Sequence, residues 1–136
     1  DFVGSGGTYG GTIRALKAAS PAVKGYVLEP DGAAILSGRA PTQLGHPIQG
    51  GGYAMEDLAA LPQAPVDGYC RINGGVARDT ACKLARIEGV FGGFSSGANV
   101  AAALDLLKGA EIGGVIGVVI CDSGLKYLST DLWSDD

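Results

Sequence analysis

Hydrophobic and polar positions along this chain fall into short blocks whose period changes from strand-like to helix-like and back. Asp1-Phe2-Val3 reads as the end of a buried strand that delivers a glycine-rich turn, Gly4-Ser5-Gly6-Gly7-Thr8. From Thr8 to Ala19 the pattern is helical, with Ile13, Leu16 and Ala19 on one stripe, Arg14 and Lys17 off it, and Ser20-Pro21 as the stop. Gly10 and Gly11 weaken that helix and point to close packing near its start. Lys24 to Glu29 reads as a short strand ended by Pro30, and Gly32 to Ser37 as a brief helix or turn. Gly38 to Gly52, with Pro41, Pro47 and the triple glycine Gly50-Gly51-Gly52, is expected to be irregular, and so long an irregular stretch is usually functional or mobile.

Farther on, Met55 to Leu61 suggests a short helix and Val66 to Ile72 an alternating strand. Val76 to Ile87 is a clear amphipathic helix. Val76, Ala77, Thr80, Ala81, Leu84 and Ala85 share one face, Arg78, Asp79, Lys83 and Arg86 the other, and Gly89 is placed to cap its C-terminus. A second glycine-and-serine loop, Gly92-Gly93-Phe94-Ser95-Ser96-Gly97-Ala98-Asn99, feeds Val100 to Leu107, which is apolar almost all round. Gly114 to Cys121 is a continuous apolar run of strand length, the pattern of a parallel-sheet strand covered on both faces. It ends in the turn Asp122-Ser123-Gly124.

Alternating strands and helices with such loops predict an α/β fold, a doubly wound and mostly parallel sheet, as a single unit over residues 1–136. The loops at Gly4, Gly92 and Asp122 would fall on one sheet edge, where such folds bind ligands. Composition narrows the partners. A net charge of -4 with no run of basic residues argues against nucleic acid and anionic membranes. The longest apolar stretch, Ile112 to Cys121, is too short to span a bilayer, and no signal peptide opens the chain, so a cytoplasmic protein is expected. The three cysteines, Cys70, Cys82 and Cys121, lie far apart in apolar settings without metal-ligand spacing, and read as buried free thiols with no metal site. An opening inside a structural unit, without Met, suggests a fragment.

The candidate chemistry starts at Gly4–Thr8. Glycines bring backbone N–H groups to a ligand without Cβ interference, and the helix that follows adds unpaired N–H groups and a positive dipole end. Ser5 and Thr8 add hydroxyls, and no Lys or Arg lies in the loop, so a phosphate held by neutral donors fits it. A bare strand-to-helix turn would carry the same residues. For the second loop, N-capping of the helix by Ser95 or Ser96 competes with ligand contact. Dinucleotide binding is a rival, because Glu29 follows the first loop at about the spacing of a ribose-binding acid. The glycine fingerprint fails there, since its third position is Tyr9.

The ordered segments GSGGT, VLEP, GHPIQGGG, EGVFGGFSSGAN and CDSGLKYLST resemble the cysteine synthase and cystathionine β-synthase family of fold type II pyridoxal-phosphate enzymes, over nearly the whole chain but only the C-terminal half of such an enzyme. The resemblance implies that Gly4, Ser5, Gly6, Gly7 and Thr8 cradle the phosphate of pyridoxal 5'-phosphate, that Ser95 hydrogen-bonds the pyridine nitrogen, that Gln49 and Gly50 lie beside the substrate, and that Asp122 to Gly124 line the far side of the ring. It implies no catalytic residue here, because the family's Schiff-base lysine lies upstream of the glycine loop and none of Lys17, Lys24, Lys83, Lys108 or Lys126 has a matching context. Cys121 stands where relatives often have Pro, Leu125-Lys126 replaces a common acidic-basic pair, and Asn73-Gly74-Gly75 replaces an acidic helix start.

The implied activity is β-replacement on serine or O-acetylserine, with sulfide or a thiol as second substrate and a homodimeric parent enzyme. A serine partner leaves the ring nitrogen less protonated than an aspartate would, which suits loss of a β-substituent better than transamination. The alternatives are a non-catalytic fragment or stand-alone domain, and, behind it, cystathionine β-synthase activity.

Overall fold

The computed structural model describes residues 1–134 and divides into two compact units, Asp1–His46 with Gly50–Arg71, and Pro47–Gln49 with the chain from Ile72 onward. The class is α/β with a parallel sheet.

In the first unit, the opening residues pair in parallel with the strand β1 (Tyr26–Pro30): Phe2 bridges Leu28, and the Leu28 amide donates to the Asp1 carbonyl at 2.9 Å. β1 pairs in turn with β2 (Gly68–Ile72). Between Val3 and β1 runs the helix α1 (Gly7–Ala19), which stops at Ser20 where the chain becomes extended ahead of Pro21. Its buried face is Tyr9, Gly10 and Ile13. The stripe expected from periodicity is shifted, since Leu16 and Ala19 are exposed. Gly10 explains the shift. A Cβ there would meet the Ala60 carbonyl oxygen at 2.7 Å, so the helix approaches the core on its glycine side. At Gly11 the surroundings are open, so that glycine is not demanded by packing. Val3, Tyr9, Ile13, Val27, Leu58 and Leu61 form the core of this unit.

The short helix expected at Met55 to Leu61 is absent. That stretch is irregular, with turn bonds from the Leu61 amide to the Leu58 carbonyl and from Ala64 to Leu61, each 2.9 Å. Pro62 disfavours helical backbone at Leu61, the last residue of that stretch. Glu29 is buried on β1 and accepts the amides of Leu36 at 2.6 Å and Ser37 at 3.0 Å. Its carboxylate is committed to closing that turn rather than presented to a ribose.

The second unit holds α2 (Gly74–Lys83), which runs into a π-helical turn over Leu84–Glu88 and ends at Gly89 with φ 69°. Asn73 caps its start, its side chain accepting from the Gly75 amide at 2.8 Å. The helix α3 (Phe94–Lys108) packs on it through Gly97, where a Cβ would run into the Ala77 carbonyl and meet the Ala81 amide nitrogen at 2.7 Å. Ala77 and Ala81 are buried, whereas Val76 at the edge of the same face is exposed. α3 is buried from Phe94 to Asn99 and increasingly exposed beyond Ala102, so its second half is not the all-round buried helix its composition suggests.

The strand expected over Gly114 to Cys121 does not form. A strand covered on both faces needs neighbouring ladders, and among the described residues none pairs with this run. Val115 is fully exposed, and Val118 and Ile120 are exposed as well. The cysteines depart from expectation for related reasons. Cys121 is exposed in this unpaired run, Cys70 is only half-buried on the face of β2 that it shares with buried Ile72, and Cys82 is half-buried with its thiol donating to the Leu132 carbonyl at 3.1 Å.

Candidate functional site

In the first unit, the turn into α1 depends on Gly6, which takes φ 82°, left-handed backbone open to glycine at little cost. Gly6 is the N-cap residue, no side chain caps the helix, and no acidic residue lies in its first turn. The first intrahelical bond runs from the Gly10 amide to the Gly6 carbonyl at 2.8 Å, so the amides ahead of it face outward. Ser5, Gly7 and Thr8 are all exposed, and the Ser5 hydroxyl accepts from the Gly7 amide only at a long 3.4 Å. A Cβ on Gly7 would find nothing nearer than that hydroxyl, at 3.5 Å. The result is an open set of neutral donors at a positive helix end. A phosphate fits it, and a cationic ligand does not.

This unit also brings Gly50 to the loop. A Cβ on Gly4 would meet the Gly50 carbonyl oxygen at 2.5 Å, and one on Gly51 would meet the Phe2 ring at 2.8 Å. The Gly52 amide donates to the Val3 carbonyl at 3.1 Å. The triple glycine therefore lies along the residues that deliver the Gly4–Thr8 loop. His46, which no sequence motif singles out, places Nε2 at 3.0 Å from the Gly52 carbonyl, while its Nδ1 is buried with no partner among the described residues. A carbonyl accepts only, so in this contact Nε2 is the donor. The signal available was position, the chain's one histidine lying just ahead of Ile48-Gln49-Gly50.

The rear of α1 is anchored electrostatically. Asp67 accepts the Gly25 amide at 2.7 Å and pairs with Lys17 at 2.9 Å, and these hold its carboxyl below the usual range, the amide bond contributing most. The Tyr9 hydroxyl donates to the Pro65 carbonyl at 2.9 Å and is pushed up to about 12, by burial first and then by the Asp67 charge.

Gln49 belongs to the second unit and lies at an exposed turn after buried Ile48. Ser95 lies in the same unit, buried in the first turn of α3. The capping alternative fails on geometry. The N-cap is Gly93, no side chain caps this helix, and the Ser96 hydroxyl accepts from the Cys121 amide at 3.1 Å. Among the described residues the Ser95 hydroxyl has no hydrogen-bond partner, which leaves it able to serve a ligand. The glycine loop and the Asp122 turn do meet: Gly92 bridges Ser123, the Gly93 amide donates to the Asp122 carbonyl at 3.3 Å, and Asn99 Nδ2 donates to the Val119 carbonyl at 2.9 Å. Tyr127, which the residue pattern does not mark, donates its hydroxyl to Asp122 Oδ2 at 2.7 Å. Burial, and secondarily that carboxylate, raise its pKa far above the phenol range.

The open helix start of the first unit, with only neutral donors, has the chemistry to take a phosphate. Similar proteins agree. The chain is 37% identical over 131 residues to O-ureido-L-serine synthase of Streptomyces lavendulae, covering 96% of this chain and 39% of that one. It is 32% identical over 134 residues to cysteine synthase of Staphylococcus aureus, covering 98% and 42%. The crystal structure of cysteine synthase from Entamoeba histolytica superposes with a TM-score of 0.87 at 31% identity, over 98% of this chain and 40% of that one. The chain thus spans about two fifths of the length of these relatives. Loop order, donor chemistry and likeness coincide, and the match to the family profile extends over residues 2–122: the chain belongs to the family of pyridoxal-phosphate dependent enzymes.

Proposed function

We propose that this chain supplies most of the large cofactor-binding domain of a longer enzyme that carries out β-replacement on serine or O-acetylserine, with sulfide or a thiol as the entering nucleophile. The observation that carries the reading is the uncapped start of α1, where exposed Ser5, Gly7 and Thr8 offer only neutral donors and no acidic side chain competes for the first-turn amides. The Gly7 and Thr8 amides and the Ser5 and Thr8 hydroxyls bind the phosphate dianion, with Gly4 and Gly6 shaping the turn. Bound pyridoxal phosphate supplies the electron sink for loss of the amino acid's β-substituent. Ser95 serves as the ring nitrogen's hydrogen-bond partner. A hydroxyl is too weak an acid to keep that nitrogen protonated, which keeps the sink modest and favours elimination and addition at Cβ over transamination. Gln49 and Gly50, on the turn that opens the glycine triplet, orient the amino-acid substrate.

The proton-moving lysine comes from outside residues 1–136. Within the chain, Lys17 is held by Asp67 at 2.9 Å, and Lys108 and Lys126 neighbour Asp105 and Asp122 at 3.6 and 3.2 Å. Incubation of the longer enzyme with pyridoxal phosphate, borohydride reduction and peptide mapping test this. The label is expected on a lysine outside these residues, and stoichiometric labelling of Lys17, Lys24, Lys83, Lys108 or Lys126 would overturn the assignment.

A further inference from the structure

We propose that Asp122 and Tyr127 form a positioning pair for Ser95, fixing the start of α3 where the Ser95 hydroxyl serves the cofactor's ring nitrogen; the inference rests on the reading of Ser95 given above. The pair closes over Gly93, the N-cap of α3. A Cβ on Gly93 would run into both Asp122 Oδ1 and the Tyr127 ring, so no other residue leaves room for this arrangement. Tyr127 is buried, and its ring meets Phe94 edge-on at a centroid distance of 5.6 Å. The two residues ahead of Ser95 are therefore both set by the turn that follows Cys121.

The hydroxyl of Tyr127 has a separable part in this. Backbone ties from Gly93 to Asp122 (3.3 Å) and from Gly124 to Phe91 (2.9 Å) persist without it, as does the stacking of Phe91 on Trp133 at 4.4 Å. What the hydroxyl adds is the 2.7 Å bond to Asp122 Oδ2. The other carboxylate oxygen, Oδ1, is buried and has no partner among the described residues. A half-satisfied buried carboxylate gains by turning toward solvent. The second tie on Oδ2 is Lys126 at 3.2 Å, whose side chain is 68% exposed and whose hold is correspondingly weak. The Tyr127 hydroxyl is thus what keeps Oδ1 pressed against Gly93 and the first turn of α3 in one place.

The test is a double-mutant cycle in the full chain, reading cofactor affinity and the emission spectrum of bound pyridoxal phosphate for the unaltered protein, Tyr127→Phe, Ser95→Ala and the double variant. Tyr127→Phe is expected to weaken cofactor binding about three- to tenfold, the worth of one hydrogen bond, and to shift the emission. Because it acts through Ser95, the double variant should bind no more weakly than Ser95→Ala alone. Additive losses would overturn the positioning role and leave the Ser95 contact standing. Unchanged affinity and emission in Ser95→Ala would overturn both. Should Tyr127→Phe fail to fold, Asp122→Asn takes its place in the cycle with the same non-additive pattern expected, and additive losses there would likewise overturn the positioning role.

Discussion

Gly4 lies against Gly50 so closely that a Cβ on Gly4 would sit 2.5 Å from the Gly50 carbonyl oxygen. That contact ties the turn beside the proposed substrate to the loop proposed to hold the phosphate. It also gives Gly4 a packing reason to be glycine that is independent of any ligand.

Gly4→Ala in the full chain is accordingly expected to destabilise the fold itself, by about 1 to 3 kcal/mol, as overpacking against backbone does. Urea unfolding of the protein without cofactor is the measurement. An unchanged midpoint would mean that the turn yields freely.

Helix starts separate capping from ligand contact. Asn73 caps α2, its side chain accepting from the Gly75 amide at 2.8 Å, so Asn73→Ala should cost about 1 kcal/mol of stability. Ser95→Ala should stay within about 0.5 kcal/mol, because its hydroxyl neither caps α3 nor bonds a neighbour among the described residues. Thermal melts of the two variants check the contrast.

Ser95→Asp tests the electronic part. A carboxylate beside the ring nitrogen favours its protonated form. The visible absorption of the bound cofactor should then titrate at higher pH than in the unaltered protein, and coincident titrations would remove Ser95 from the ring nitrogen.

These contrasts show where the sequence was informative. Glycine punctuation read well. Gly89 does end the second helix in left-handed backbone, and Gly4–Thr8 does start α1, because both are dictated by local backbone geometry. Periodicity read less well. Leu16 belongs to the apolar stripe of α1 yet is exposed, since Gly10 lets the helix dock on a different side. The run from Gly114 to Cys121 has the composition of a buried strand, but strands need ladders, and no pattern within a segment reports whether its neighbours are present. Tyr127 and His46 were illegible for a different reason. Their roles depend on Asp122, Gly93 and Gly52, contacts that no helical or strand spacing encodes.

A pH dependence follows from Asp67. Its folded pKa lies below the ordinary 3.8, through the Gly25 amide first and Lys17 second, so its contribution is fully present above that value and is lost as pH falls through the folded pKa. Asp67→Asn should therefore be less stable than the unaltered protein at neutral pH, with the gap closing only below 3.8. Denaturant melts across an acid series would show it, and a gap independent of pH would exclude the carboxylate charge as its source.

The most direct measurement of the central claim compares the affinities of pyridoxal phosphate and pyridoxal for the full chain and for Gly7→Asp. Gly7 suits the test because it is exposed, and a Cβ there meets only the Ser5 hydroxyl at 3.5 Å. Aspartate is also a favourable first-turn residue, so the fold should hold. Gly6→Asp would instead confound ligand loss with strain at φ 82°. With two or more charge-assisted hydrogen bonds to the phosphate, the unaltered chain should prefer pyridoxal phosphate by at least about a hundredfold. In Gly7→Asp that preference should collapse while the affinity for pyridoxal stays the same. An undiminished preference for the phosphorylated form in Gly7→Asp would contradict the account and put the phosphate site elsewhere.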